Sequence, residues 1–320
     1  MKVLATDGLS QSGINKLKDA GFDVSVTKVA QEQLISFINE ENINVLLVRS
    51  ATKVRKDLID ACSSLKIIGR AGVGMDNIDV DYARKKGLKV INTPTASSNS
   101  VAELVFAHLF SGVRYLHDSN RNMPLSGDSM FKDLKKNYAG GTELRGKTLG
   151  IIGMGKIGHE VAKIALGIGM KVIASDDHVG ETMITLNFYN DQVVTIPIKT
   201  EPVKDILKDS DFITLHVPAQ KKPLIGKKEF EMMKPGAAII NTSRGGVVDE
   251  VALIDALESG KVRFAGLDVF EEEPTPAIRV LMEERISLSP HIGASTNEAQ
   301  DRIGIELADQ IISLSKEETA

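Results

Sequence analysis

The chain has 320 residues, more than the ~250–300 at which a single hydrophobic core stops growing, so two domains are expected. Apolar residues make up 42% and charged residues 26%, ordinary values for a folding chain, which excludes disorder. A net charge of −4, with 4% aromatics and no Trp, argues against a nucleic-acid surface, an anionic-membrane surface or a base-stacking platform. The one cysteine, Cys62, can close no intrachain disulfide and make no thiolate metal site, so no metal is expected and a cytoplasmic setting is. The opening MKVLATDGLS carries too short an apolar run for a signal peptide, and no stretch of about 18 uncharged apolar residues predicts a membrane span.

Short β-branched runs alternate with helical patterns from end to end, the mark of parallel βαβ units in an α/β protein. The first group of predicted strands is Val3–Thr6, Asp23–Thr27, Asn44–Val48, Lys66–Gly69 and Lys89–Asn92, with helices over Gln31–Glu41 and Lys56–Ser64. The second group is Thr148–Ile152, Lys171–Ala174, Val193–Ile196, Phe212–Val217, Ala237–Asn241, Phe264–Val269 and Ile286–Ser289. Their nearly uniform apolar character suits strands covered on both faces. Ser100–Asp118 is apolar almost all round, so it predicts a helix buried on several sides, between domains and against a second subunit. The polar segment 121–145 has little period and predicts an extended arm or a floppy insertion, with Lys135 or Lys136 able to reach a partner's site. The amphipathic stretch Asn297–Leu314 is expected to cross back to the first domain. That gives a discontinuous domain of residues 1–98 and 290–320 around a central one of 99–289.

Gly153-Met154-Gly155-Lys156-Ile157-Gly158 matches G-x-G-x-x-G, a weak pattern alone. Here a predicted strand runs into it, a helix leaves it, and the acid Asp176 follows 18 residues after Gly158. Gly153 permits the tight turn, Gly155 a close approach of backbone to pyrophosphate, and Gly158 tight helix–strand packing, while the helix N-terminus favours the anion. A purely structural glycine turn is the competing reading. Asp176 would accept from a free ribose 2′-hydroxyl and repel a 2′-phosphate; Ser175, Asp177 and His178 beside it supply no Arg or Lys, so NAD is expected over NADP. Oxidising an alcohol also needs a base, and His291 follows Pro290 at a strand end, where open α/β sheets bind ligands. A buried structural histidine is the alternative there.

Three further segments lead up to that histidine: Asn241-Thr-Ser-Arg244-Gly-Gly-Val-Val-Asp249-Glu250, Gly266-Leu-Asp268-Val-Phe-Glu-Glu-Glu273-Pro274, and Ser289-Pro290-His291-Ile-Gly293. With GIIGMGKIG, and over essentially the whole chain, they closely resemble the NAD-dependent D-2-hydroxyacid dehydrogenase family. The resemblance implies two doubly wound parallel-sheet domains, a flavodoxin-like substrate domain and a Rossmann NAD domain. It implies that Arg244 binds the substrate carboxylate and keto oxygen, that His291 is the general acid/base, and that Glu273 hydrogen-bonds it. Asp268 would meet the nicotinamide carboxamide. Val217, Thr242, Ser243 and Gly293 would line the cofactor cleft with Gly153, Gly155, Lys156, Ile157, Gly158 and Asp176. An interface ion pair remains open for Arg244, and a solvated acidic loop for Glu273, with Glu271 and Glu272 fitting that second description better.

The stretches Val48-Arg49-Ser50-Ala51-Thr52 and Gly69-Arg70-Ala71-Gly72-Val73-Gly74 look most like the 3-phosphoglycerate dehydrogenase branch of the family. That similarity implies a phosphorylated 2-hydroxy acid as substrate, bound between the domains of a homodimer or tetramer. Its carboxylate would lie on Val73, Gly74 and Arg244, and its phosphate on Arg49, Ser50 and Arg70. Surface ion pairing is the plainer role for the two arginines. Where relatives often carry an Asn after Asn92-Thr93-Pro94, this chain has Ser97, which keeps a polar contact of different geometry. The segment His178–Thr200 is longer than the usual linker. The chain closes soon after its terminal helix, so feedback inhibition through an appended regulatory domain is not expected. Hydroxypyruvate, glyoxylate or D-lactate are alternative substrates, and a non-catalytic NAD-sensing corepressor is the alternative of another class.

Overall fold

The computed structural model describes residues 1–317, which form two compact units: residues 1–98 with 294 onward, and residues 99–293. In the first unit, strands β1 (Lys2–Ala5), β2 (Asp23–Ser25), β3 (Val45–Val48), β4 (Ile67–Arg70) and β5 (Lys89–Asn92) pair in the order 2-1-3-4-5. All are parallel, and the order is the flavodoxin-like winding. Helices α1 (Gln11–Asp19), α2 (Leu34–Glu40), α3 (Lys56–Ala61) and α4 (Val80–Lys85) connect them, and the helix expected over 31–41 resolves into a 3₁₀ turn, Gln31–Gln33, followed by α2. Ser10 caps α1 by accepting from the Gly13 N–H at 3.3 Å. Alternate strand residues feed opposite faces. Leu4, Leu46 and Ile68 pack with Leu34, Ile38 and Leu58, whereas Val3, Ala5, Val45 and Ile67 pack with Leu17, Ile303 and Leu307. Burial on both sides is why these short strands read as continuous apolar runs.

The chain then passes through α5 (Ser98–Val113), α6 (Leu116–Ser126) and α7 (Phe131–Asn137) into the second sheet. Its strands are β6 (Thr148–Ile152), β7 (Lys171–Ser175), β10 (Phe212–Leu215), β11 (Ala237–Asn241), β12 (Val262–Leu267) and β13 (Ile286–Leu288), all parallel in the order 13-12-11-10-6-7. Helix α8 (Lys156–Gly167) follows β6, while α9 (Val203–Asp209), α10 (Lys227–Met232), α11 (Glu250–Glu258) and α12 (Ile278–Met282) join the later strands. In β11, Ile239 faces a core with Leu253 and Leu257, while Ala238 and Ile240 face one with Val105, Leu109 and Val161. The last helix, α13 (Asn297–Glu317), lies in the first unit, where its Ile303, Leu307 and Ile311 complete the core under β1 and β3.

Three expectations are corrected. Val193–Ile196 is not a strand of the large parallel sheet; it belongs to β9 (Val193–Lys199), which pairs antiparallel with β8 (Glu181–Asn187) as a separate hairpin. A parallel crossover needs a dozen or more residues, usually with a helix; here β8 takes up the chain after β7, and the five residues 188–192 between β8 and β9 allow only an antiparallel return. Asp191, at φ +61°, helps turn the chain back on itself, and Ile184 and Ile198 bury one face of the hairpin against the core. Only Thr200, bridging Ala174 in parallel, keeps the place of a further strand. Segment 121–145 is not an extended arm: α6 and α7 occupy much of it, closed by Tyr138, whose hydroxyl donates to Asp118 at 2.8 Å and accepts from Asn122 at 3.0 Å. The helix expected to run to Asp118 stops at Val113, because Tyr115 takes a left-handed conformation at φ +54° before α6 starts.

Helices α1 and α13 meet through glycine. A Cβ at Gly13 would stand 2.7 Å from the Gly304 carbonyl oxygen, closer than any real Cβ contact. Alanine gains at most ~1 kcal/mol of helix propensity, while overpacking against backbone costs ~1–3 kcal/mol, so Gly13→Ala should lower stability to chemical denaturation. Gly167→Ala at the end of α8, where a Cβ meets nothing within 4 Å, should instead hold or raise it.

His108 of α5 is 4% exposed, with its ring between two serine hydroxyls. Burial, with a smaller contribution from the charge of His117, pushes its pKa down from 6.5 to about 4. Between these values the unfolded chain takes up a proton that the folded one refuses. The stability is therefore fully present above pH 6.5 and lost as pH falls toward 4, by at most about 3 kcal/mol. Denaturation midpoints across this range should show that slope in the wild type and a shallower one in His108→Gln.

Candidate functional site

In the second unit every parallel strand brings one or more of the expected site residues to its carboxyl end. After β6, Gly153 takes φ +101° and its N–H donates to the Ser175 carbonyl at 2.8 Å. A Cβ there would strike the His216 carbonyl oxygen, and one on Gly158 would strike the Gly153 carbonyl oxygen, so neither position tolerates a side chain. Gly155 differs: a Cβ on it meets nothing, it is exposed, and as N-cap of α8 it offers no side-chain acceptor to the helix amides. The first turn of α8, from Lys156 and Ile157, thus presents unsatisfied N–H groups beside open space. Asp176, after β7, accepts from Met154 N at 2.7 Å, His178 N at 2.8 Å and Val179 N at 3.1 Å, which ties the glycine turn to the next strand end. Val217 follows β10, and Thr242 and Ser243 follow β11. Thr242 Oγ1 is buried with no hydrogen-bond partner among the described residues. A cradle that rejects Cβ atoms, a bare helix N-terminus and an orphaned hydroxyl together fit a dinucleotide such as NAD.

A second group, the candidate acid–base residues, comes from the ends of β11, β12 and β13. Beyond β11, Asn241 Oδ1 accepts from Ser243 N at 3.0 Å and Ser243 Oγ at 2.8 Å, and its Nδ2 donates to the Arg244 carbonyl at 2.9 Å. The Arg244 guanidinium donates to the Ser243 carbonyl at 2.6 Å, so the loop is wound tightly around its own cation. Beyond β13, His291 sits at φ +54°, and its Nδ1 lies 2.7 Å from Glu273 Oε2. Glu273 Oε1 accepts from Phe270 N at 3.1 Å, which orients the carboxylate from behind. Burial pushes the Glu273 carboxyl up, but the hydrogen bond and charge of His291, the Phe270 N–H and the nearby Arg244 together hold it below the usual range. It stays an anion, and with Nδ1 engaged the imidazole can exchange a proton with a ligand only through Nε2. Among the three consecutive acids the division of labour is sharp. Glu271 and Glu250 each accept from the other's backbone N–H, at 3.0 and 2.8 Å, leaving Glu273 as the acid that meets the histidine.

Asp268, after β12, is 1% exposed and holds the turn that carries His291. Its Oδ1 accepts from Ser289 Oγ at 2.6 Å and Ile292 N at 2.8 Å, and its Oδ2 accepts from Gly293 N at 2.8 Å. Burial raises the Asp268 carboxyl, and those three donors together with His291 only partly offset it. In the first unit, Arg49 follows β3 and Arg70 ends β4, on neighbouring strands where Val48 lies opposite Arg70. Ser50 is exposed next to Arg49, Val73 and Gly74 lie half-buried in the loop after β4, and Ser97 is buried just before α5.

Sequence reasoning assigned no role to Asp7 and Asn77, which shape the Arg49 loop. Asp7 Oδ2 accepts from Arg49 N at 2.7 Å and its Oδ1 from Thr52 Oγ1 at 2.9 Å, while Asn77 Nδ2 donates to the Arg49 and Thr52 carbonyls at 2.7 and 2.6 Å. Both are loop residues with short polar side chains, the type that binds nearby backbone. His108 was passed over too, although an imidazole in mid-helix among side chains apolar nearly all round was the available signal.

Residues 106–293 match the model of the family described as D-isomer specific 2-hydroxyacid dehydrogenase, NAD binding domain. The chain is 45% identical over 294 residues to a hydroxypyruvate reductase of Thermotoga maritima, covering 90% of each. It is 40% identical over 323 aligned positions to a D-3-phosphoglycerate dehydrogenase of Methanocaldococcus jannaschii, covering 100% of this chain and 58% of that longer relative. The NAD⁺-bound 3-phosphoglycerate dehydrogenase of Entamoeba histolytica superposes with a TM-score of 0.77 at 28% identity, covering 99% of this chain and 95% of that one. No described helix is long and apolar enough to cross a membrane. The glycine cradle, the strand-end acid–base pair and these likenesses lead to one conclusion: the chain belongs to the D-isomer specific 2-hydroxyacid dehydrogenase family and is an NAD-dependent oxidoreductase.

Proposed function

We propose that this protein oxidises D-3-phosphoglycerate to 3-phosphohydroxypyruvate with NAD, the entry step to L-serine, as a cytoplasmic homodimer or tetramer without nucleic-acid or membrane partners. The observation that carries the substrate assignment is the pair of arginines, Arg49 and Arg70, at neighbouring strand ends in the first unit. Two cations suit the roughly two negative charges of a phosphate monoester, and Ser50 adds a hydroxyl donor. The M. jannaschii and E. histolytica relatives, each bearing the name of that activity, support the same reading.

Gly153, Gly155, Lys156, Ile157, Gly158 and Asp176 would hold the dinucleotide, with Val217, Thr242, Ser243, Asp268 and Gly293 along the cleft. NAD, when bound, supplies the two-electron acceptor for the alcohol carbon. Arg244 binds the substrate carboxylate with its planar fork and draws electron density toward the C2 oxygen. His291 takes the C2 hydroxyl proton through Nε2, and Glu273, held anionic, offsets the imidazolium charge and fixes the ring. Val73 and Gly74 offer backbone N–H groups to the carboxylate, and Ser97 a hydroxyl at its edge. Reduction of hydroxypyruvate is the second reading, favoured by the 45% identity to a T. maritima enzyme of that name. It retains the chemistry and dispenses with the phosphate site.

Steady-state NADH consumption with phosphohydroxypyruvate, hydroxypyruvate, glyoxylate and pyruvate separates the two. The proposal expects the highest kcat/KM with the phosphorylated acid, and a clear preference for hydroxypyruvate would replace it. Arg49→Ala should raise KM for phosphohydroxypyruvate about tenfold or more, the loss of a charge-assisted bond, and leave hydroxypyruvate kinetics alone. Equal effects on both acids would remove Arg49 from the phosphate site. His291→Ala should lower kcat by about 10²–10⁴ with NADH affinity by fluorescence titration unchanged; unimpaired turnover would take His291 out of the reaction.

A further inference from the structure

One buried titratable group of the second unit has no part in the chemistry proposed above, yet lies two hydrogen bonds from it. His108 Nδ1 is 2.8 Å from Ser287 Oγ and its Nε2 is 2.9 Å from Ser289 Oγ; the Ser289 hydroxyl in turn lies 2.6 Å from Asp268 Oδ1. The direction of this chain follows from its far end. Ile292 N and Gly293 N can only donate, so both Asp268 oxygens act as acceptors, and a 2.6 Å O–H···O contact has the length of a charge-assisted bond to a carboxylate. Ser289 therefore spends its proton on Asp268 and can only accept from His108. The imidazole carries its hydrogen on Nε2, and Nδ1 accepts from Ser287.

We propose that His108 is a positioning residue for the active site: its Nε2–H orients Ser289, Ser289 orients Asp268, and Asp268 fixes the turn on which His291 stands. The turn needs such a restraint. His291 is a non-glycine residue at φ +54°, a conformation that persists only where surrounding bonds impose it, and the Asp268 carboxylate supplies bonds to the two residues that follow. The fold also makes room for the imidazole. Gly266, two residues before Asp268 on β12, lies under His108, and a Cβ on it would come 2.7 Å from the His108 Cβ. Packing alone would be served by an apolar side chain, as at Val105 and Leu109 on the same helix, whereas a histidine is the group that can link two buried hydroxyls in a fixed order. The inference rests on the proposed roles of His291 and Asp268 and adds the element that holds them in register.

The test compares His108→Leu, His108→Gln and Ser289→Ala in the full chain, each checked for folding by circular dichroism. His108→Leu and Ser289→Ala should each lower kcat about tenfold with KM for the preferred 2-oxo acid within twofold. His108→Gln, whose amide can donate to Ser289 and accept from Ser287, should recover most of the loss. The double variant His108→Leu/Ser289→Ala should be no worse than either single one, because both break the same chain. Wild-type kcat in His108→Leu, failure of Gln to rescue, or additive losses would each overturn the proposal. Nitrogen-15 NMR of the imidazole without cofactor or substrate reads the chain apart from any enzymatic assignment. It should show hydrogen on Nε2, with a signal that moves in Ser289→Ala. Hydrogen on Nδ1 would sink the positioning role even if the enzyme turned over every acid offered. Absence of turnover with all four acids, with Nε2 protonated, would sink the proposed reaction and leave the hydrogen-bond chain standing.

Discussion

An imidazole held at 2.7 Å by a carboxylate that stays charged is the constraint around which the second unit is arranged. Glu273 is drawn two ways: partial burial favours its neutral form, while His291, the Phe270 amide and Arg244 favour the anion and win. The result is an imidazole with a fixed ring plane and its Nε2 left for a ligand, the arrangement that proton exchange with a positioned hydroxyl requires. A doubly wound parallel sheet makes such a grouping economical. Every strand of the sheet ends on the same edge, so six loops distant in sequence can each bring one or two side chains to a common place.

That edge is stiffened by polar groups that spend their hydrogen-bonding capacity on backbone. Asn241 winds the loop that carries Arg244, Asp176 ties the glycine turn to β7, and Asp268 anchors the residues after His291. Asp7 and Asn77 do the equivalent work for the Arg49 loop in the first unit. Each is a short Asp or Asn, at a strand end or, for Asn77, in a loop turn, where its reach matches the nearest amides and carbonyls. Burying a charge such as Asp268 at 1% exposure is costly unless donors surround it, and three do. The serine–histidine–serine bridge extends this support to a helix, so that α5 contributes to the order of the site as well as to the core.

The apolar runs made the two sheets legible, because a strand covered on both faces has to be apolar throughout, and eleven of the strands lie within two residues of where those runs place them at both ends. The G-x-G-x-x-G turn was readable for a similar reason: steric exclusion at Gly153 and Gly158 admits no other residue. The hairpin β8–β9 was not readable as such. Val193–Ile196 has the composition of a strand, but composition does not state whether its neighbour is parallel, and that depends on the length and turn of the chain leading to it. The helices over 116–137 escaped notice because they are short and polar, stabilised by the contacts of Tyr138 with Asp118 and Asn122 rather than by a stripe of their own.

For the site, the sequence by itself determined which residue types were present and in what order: the glycine cradle, an arginine, an aspartate, three glutamates and a histidine along successive strand ends. Periodicity and steric exclusion are local properties and can be read locally. Only the tertiary structure decided that Glu273 meets His291 while Glu271 turns to Glu250, and that His108 joins Ser287 and Ser289 across some 180 residues of chain. A hydrogen bond spans about 3 Å and is indifferent to separation along the chain, so its partners are chosen when packing brings them together.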